Sequence, residues 1–449
     1  MRKQSGPGAK ASGPPAFLAG GFFPFFCPCR AVPSLRPSRT MSKITGVWKR
    51  RLRPLVLTAF RGQFGLGVPT PRAATSVSAL ADAGRCESIR LDDLPRRVLP
   101  SHAITGDLTA VAQVRSRIDN TVAREQYDRL LRGTVIQPAV QSFVAMLTHA
   151  SVTHDAGVVM HAGDDVLVDV SGLGFASDNP TNPLHLSHLP RPRATPDTVA
   201  VLTTGPNHNY YHWLIEALPR LDLYERSGIA IDRFYAPIQT RFQRETLALL
   251  GIRREQVVPA TRHAHLAPAR LVVSSFHGSL SRAKTDFLFR RLTADVGPWA
   301  GPAPRIFISR RGPRSIVNER EVLRALRPLG FERLRLEGMP LAEQIAVFSR
   351  AECVIGPHGA GLTNLAFCRS RTQVIEIGTP YRPWACFYEI AHHRGLDYHL
   401  HMASPTRIRH FNPQTAVGDS DLRVDPVELR GVVESLLSGR SGLSERAAA

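Results

Sequence analysis

The chain has 449 residues, 43% of them hydrophobic, which allows two or three domains with cores of their own. Its net charge of +20 does not mark a nucleic-acid binder: only five of the 57 basic residues are lysines, and the arginines are spread along the chain in the manner of GC-rich coding. The charge instead favours anionic partners, such as phosphorylated donors, acidic glycans or an anionic membrane surface.

Residues 1–40 are rich in Gly, Pro and Ser and have no periodicity, so they read as a disordered extension upstream of an ordinary start at Met41. The apolar run 16–29 follows Arg2 and Lys3 in the manner of a signal peptide, but Pro24 and Pro28 interrupt it, and no run reaches membrane-span length. The basic stretch 49–53 and the apolar residues after it offer a peripheral contact with a membrane surface. Cytoplasmic placement, peripheral at the inner membrane face, is the expectation. The six cysteines form no Cys-x-x-Cys pair, which argues against a zinc site. Cys353 and Cys368 lie in apolar contexts and read as core thiols in a reducing compartment.

Residues 1–100 are taken as extension and linker, and 101–296 as an amino-terminal α/β domain on the acceptor side. Short alternating runs at 157–160 and 166–170 make its first part β-rich. A clearer alternation follows: strand 199–202, helix 210–226, strand 233–236, helix 241–250, strand 270–274 and helix 284–296. In helix 210–226, Trp213, Leu214, Ala217, Leu218 and Leu221 form a stripe, and Pro219 is a candidate kink. The Pro/Gly-rich 297–304 segment is the domain boundary.

Residues 305–405 give a second α/β domain, and 406–449 a tail. Strand 305–309 leads into a helix with Asn318 and Glu321 at capping-box spacing. Strand 334–336, helix 340–350, strand 353–355, a Gly-rich loop, a further helix and strand 373–377 complete the alternation. Regular alternation of strand and helix implies parallel sheets. Two such domains across a linker imply two Rossmann-like sheets facing a cleft.

Four stretches aim at that cleft. The Gly-Pro-His-Gly-Ala-Gly-Leu-Thr-Asn loop, 356–364, leaves a strand and starts a helix, where free amides and the helix dipole receive an anion. Gly359 and Gly361 permit close backbone approach, and His358 adds a donor. Arg310, Arg311 and Arg314 follow the first strand of the same sheet and suit a diphosphate. Glu376 ends an apolar strand, where a carboxylate can accept from a ribose diol. In the first domain, His212 and Glu216 share one helix face as a general base with a carboxylate behind it. The plain alternatives are a tight turn, a solvated basic loop, a salt-bridged edge carboxylate and a core histidine; the residues alone leave them open. Asp419-Ser-Asp421 matches the Asp-x-Asp of metal-using transferases but lies in the tail. His392-His393 and His399-x-His401 lack a ligand set and read as surface histidines.

Taken in order, Asn-Tyr-Tyr-His-Trp-Leu-Ile-Glu-Ala-Leu-Pro-Arg-Leu over 209–221, Ile-Ser-Arg-Arg over 308–311 with Asn318-Glu319, the 356–364 loop and Val-Ile-Glu-Ile over 374–377 resemble the catalytic domain of glycosyltransferase family 61 (the DUF563 group), which includes bacterial capsular-polysaccharide-type members. The resemblance covers roughly residues 195–400. It implies a GT-B architecture and inverting, metal-independent transfer from a nucleotide sugar to a glycan or lipid-linked glycan, without a cofactor and in polysaccharide biosynthesis. It places the donor diphosphate at Arg310, Arg314, His358, Gly359, Ala360, Gly361, Thr363 and Asn364, the nucleoside at Glu376, and the acceptor at the 209–216 helix with His212 and Glu216. A nucleotide-sugar epimerase and a non-catalytic nucleotide- or glycan-binding protein of the same fold are the competing readings.

Overall fold

The computed structural model describes residues 67–69, 73–118, 120–162, 165–172, 188–275, 280–296, 304–412 and 417–447. The expected disordered extension, the basic stretch 49–53 and most of the 297–304 boundary lie outside them. Among the described residues, no helix is long and apolar enough to cross a membrane.

Two sheets organise the chain. The first has ten strands. Four of them run parallel in the order Val257–Pro259, Arg233–Ala236, Arg193–Val201 and His265–Ser274. This is the 3-2-1-4 order of a dinucleotide-binding half-sheet. The strand interiors are apolar (Val199, Ala200 and Val201; Leu271, Val272 and Val273) because both faces are covered. The rest of the sheet departs from the expected all-parallel form. Glu87–Leu94, Val140–Leu147, Ala150–Thr153 and Val158–His161 join it by antiparallel pairing. Short alternating runs separated by turns build hairpins, not crossovers.

The second sheet has six strands, all parallel, in the order Phe331–Leu334, Arg305–Ile308, Cys353–Pro357, Gln373–Gly378, Asp397–Met402 and Ala103–Gly106. Its first five strands follow the doubly wound order 2-1-3-4-5. The order reverses between Arg305–Ile308 and Cys353–Pro357, and a crevice opens at the carboxyl ends of strands at such a reversal.

The edge strand Ala103–Gly106 comes from the segment assigned by sequence to the first domain. Helices Leu108–Arg115 and Thr121–Leu131, in a stretch expected to be β-rich, pack Val111, Val114 and Tyr127 with Tyr381, Leu400 and Met402 of the second half. The Thr105 hydroxyl lies between His399 Nε2 at 2.8 Å and His401 Nδ1 at 2.9 Å. These two histidines are therefore buried core groups, not surface residues. The presumed tail also belongs to this half. The hairpin Ser404–Asn412 with Val417–Arg423, and the helix Pro426–Ala447, cover the sheet with Leu422, Leu429 and Val433.

One apolar cluster runs through both halves. Trp213, Leu214 and Ala217 share it with Phe287, Leu288, Ile308, Leu362, Leu365 and Phe367. Helix Arg282–Thr293 packs on both the 213–217 turn and the 360–367 helix.

Candidate functional site

The expected helix over 210–226 is broken into three parts. A turn of α-helix, Tyr210–His212, is capped by the Asn209 side chain, which accepts from the Tyr211 amide. A π-turn, Trp213–Ala217, follows, and the α-helix Arg220–Ser227 resumes after Pro219. Proline has no N–H and its ring crowds the carbonyl four residues back, so the wider π-turn accommodates it. His212 Nδ1 donates to Glu216 Oε1 at 2.8 Å, and the Thr204 hydroxyl donates to Glu216 Oε2 at 2.8 Å. Glu216 is buried and His212 half-buried. The carboxylate at Nδ1 fixes the tautomer and direction of the ring.

A second imidazole–carboxylate pair stands on the other sheet. His358 Nδ1 lies 2.5 Å from Glu376 Oε1, and the Tyr398 hydroxyl donates to Glu376 Oε2 at 2.6 Å. Burial, with Glu376 beside it, holds the Tyr398 phenol well above its usual range, so it stays a donor. Glu376 is 1% exposed and both its oxygens are taken. It holds the ring of His358 from behind. The two histidines belong to one row of rings: His212 to Tyr211 (5.3 Å between centroids), Tyr211 to Phe387 (5.9 Å) and Phe387 to His358 (5.0 Å).

The glycine loop is tighter than sequence suggests. Residues Ala360–Phe367 form a 3-10 helix, not an α-helix, whose first bond runs from the Leu362 amide to the Gly359 carbonyl. The amides of Ala360 and Gly361 precede that bond. Thr363 and Asn364 are fully buried. Asn364 accepts from the Tyr210 hydroxyl at 2.6 Å and donates to Gln344 at 2.9 Å. Asn364 thus fastens the loop to the first half through Tyr210, while the buried Thr363 hydroxyl has no hydrogen-bond partner among the described residues. Gly359 is extended (φ 167°), so backbone conformation does not explain its lack of a side chain. Space does: a Cβ there would lie 2.2 Å from Arg310 Nη1.

Arg310 and Gly359 therefore touch at one rim, beside the reversal in strand order. Among the described residues Arg310 makes no ion pair; its Nε donates to the Pro313 carbonyl at 2.7 Å. Burial, and then the Arg314 charge, bring its pKa down to about 10, so the guanidinium remains a cation at neutral pH. Arg314 is committed differently. It sits in left-handed conformation (φ 67°), donates to the His358 carbonyl at 2.9 Å and ion-pairs with Asp419. Asp419 also holds Arg382 at 3.1 Å, and Asp421 holds Arg409 at 3.0 Å. Strand geometry puts Asp419 and Asp421 on one face, where arginines occupy both. Sequence could not show this, because the hairpin that carries them folds back from the far end of the chain.

A cavity of about 300 Å³ opens beside Arg310. Ile308, Ser309 and Arg310 line it with Leu336–Met339, Pro357, Ala360 and Gly361 from the second half; Tyr210, Phe242 and Glu245 close it from the first. A second cavity, of about 270 Å³, lies beyond Tyr211, walled by His102, Trp384 and Glu389. Among the described residues no group of three or more His, Cys, Asp or Glu side chains is arranged to hold a metal ion.

Residues 210–375 match the family described as Glycosyltransferase 61. The chain is 31% identical over 129 residues to the EGF domain-specific O-linked N-acetylglucosamine transferase of Drosophila melanogaster (27% of this chain, 24% of that protein). It is 30% identical over 130 residues to the beta-1,2-xylosyltransferase XAX1 of Oryza sativa subsp. japonica (28% and 23%). The matches thus span about a quarter of these relatives' length. These relatives come from an animal and a plant, and neither is named for capsular polysaccharide. A dodecameric iron-containing heptosyltransferase, TibC, in complex with ADP-D-beta-D-heptose aligns with 68% of this chain and 87% of its own, at 11% identity and a TM-score of 0.32.

Proposed function

We propose, from the match of residues 210–375 to the Glycosyltransferase 61 family, that the chain moves a sugar from a nucleotide-sugar donor to a hydroxyl of a glycan acceptor, by inversion and without a metal, across a GT-B-type cleft. The observation that carries this reading is the contact between Arg310 and Gly359: an uncommitted cation against bare backbone at the strand-order reversal. The 300 Å³ cavity beside it suits the nucleotide. The diphosphate would lie against Arg310, His358 Nε2 and the amides of Ala360 and Gly361, with Arg314 one step behind.

The acceptor oxygen attacks the anomeric carbon and forms the new C–O bond. The bond from that carbon to the diphosphate oxygen breaks, and its electron pair leaves on the diphosphate. Arg310 and the loop amides stabilise that growing charge. The acceptor proton passes to His212 Nε2, and Glu216 steadies the resulting imidazolium through Nδ1.

The test is a panel of nucleotide sugars screened by thermal shift. At least one should stabilise the wild type, and Arg310→Ala should remove most of that shift. His212→Ala should keep the shift and lose transfer by a factor of about 100 or more. If no donor stabilises the wild type, or Arg310→Ala responds like it, the reading fails.

A further inference from the structure

The cavity of about 270 Å³ beyond Tyr211 is not used by the donor reading above. Its walls come from three parts of the chain: His102, Gln126, Arg129 and Leu130 from the crossing amino-terminal segment, Tyr211 from the broken helix, and Trp384 with Glu389 from the second half. Trp384 is 40% exposed, unusual for an indole. Arg382 packs on its ring, with Cζ 4.7 Å from the centroid, and Asp419 fixes Arg382 in turn. The indole is thus held in place while part of it stays open. Its centroid is 6.4 Å from that of His358, and Tyr211 across the cavity is 5.3 Å from His212. His358 and His212 do not line the cavity themselves; each stands one ring beyond its wall.

We propose that this cavity is an acceptor sugar site in which a neutral pyranose stacks on the indole of Trp384, with Tyr211 between it and His212. The inference rests on the glycosyltransferase reading and deepens it by naming the acceptor's chemistry. An aromatic face covers the C–H side of a pyranose, while polar groups around it take the hydroxyls. The polar walls carry one cationic residue, Arg129, and one acidic residue, Glu389. Burial raises the Glu389 pKa, and Gln137 donates to its carboxyl at 3.0 Å. With neither sign in excess, a neutral ring fits better than an anionic one. The cavity holds about one sugar, so the rest of the acceptor extends outward past Gln126 and Arg129.

Saturation-transfer NMR with methyl β-glucoside, β-galactoside, β-xyloside and N-acetyl-β-glucosaminide tests this on the full chain. At least one should bind the wild type, and its signal should persist with nucleoside diphosphate present. Trp384→Ala should reduce that signal at least about fivefold, while Trp384→Phe retains most of it. Nucleoside diphosphate affinity should be unchanged in both variants, which also shows that they are folded. The inference is overturned by the absence of any pyranoside signal, by equal signals in Trp384→Ala, or by displacement of the glycoside by the nucleotide. Failure of donor binding through Arg310 would sink the broader reading instead, so the two failures are distinguishable.

Discussion

His358 and Glu376 meet at 2.5 Å, ring nitrogen to carboxylate oxygen, at the ends of two neighbouring parallel strands. The pair repeats, at the rim of the second sheet, what His212 and Glu216 form on the broken helix of the first half at 2.8 Å. In both, the carboxylate is buried and a hydroxyl donates to its second oxygen: Tyr398 in one, Thr204 in the other. Such partners fix a ring's tautomer and direction. Glu376→Gln should therefore misdirect His358 without touching the ligand itself. Nucleoside diphosphate affinity, read by calorimetry, should fall about tenfold, or about 1.4 kcal/mol. An unchanged affinity would remove His358 from the donor contacts.

Gly359→Ala tests the rim directly. The extended backbone accepts alanine without strain, and the atom in its way is the far end of a flexible arginine. The fold should persist, with a melting temperature within about 2 °C of wild type. The displaced guanidinium should raise the nucleoside diphosphate Kd by about tenfold or more. Tight binding in this variant would show that Arg310 does not reach the phosphates.

Asp419 answers for two cations at once. Its removal in Asp419→Ala leaves Arg314 and Arg382 without their shared carboxylate in a largely buried setting. Breaking a buried pair by deleting one partner costs about 3–5 kcal/mol; the remaining solvent access puts this case nearer about 3 kcal/mol. The urea midpoint should drop accordingly, and less in Asp419→Asn. A midpoint equal to wild type would mean that this network adds nothing to stability.

The buried histidines set a pH dependence. Burial brings His401, His393 and His102 down to about 4 from an ordinary 6.5. Between these values the unfolded chain binds protons that the folded chain refuses, so unfolding gains as pH falls. This stability is fully present above about 6.5 and is lost progressively toward about 4. His401, 1% exposed, should account for on the order of 1–3 kcal/mol. Urea midpoints should fall between about pH 7 and about pH 5, before most carboxylates titrate. His401→Gln should flatten that slope, and an equally steep slope would assign the effect elsewhere.

The second half of the chain was the more legible in sequence. Strands 305–308, 353–357 and 373–378 appear as apolar runs because a parallel sheet is covered on both faces, and the rim they share follows from their order. The first half was less legible where local pattern and tertiary use diverge. Strand 103–106 gives no sign in sequence that it pairs with 399–402, nearly 300 residues away. Asn364 looks like a ligand group by type, yet it bonds Gln344 and Tyr210, and only the packing of the halves brings Tyr210 near. Asn318 sits at the predicted cap, but its side chain bonds Val424 backbone atoms instead. Trp384 carried no sequence signal, because an indole's meaning depends on what leaves it uncovered.

The apolar layer that Trp213 and Phe367 both occupy has a mechanical corollary. A clamshell opening would have to wet that seam, at roughly 25 cal/mol for each Å² exposed. Parting the two halves is therefore costly, and the seam should hold them together as one body.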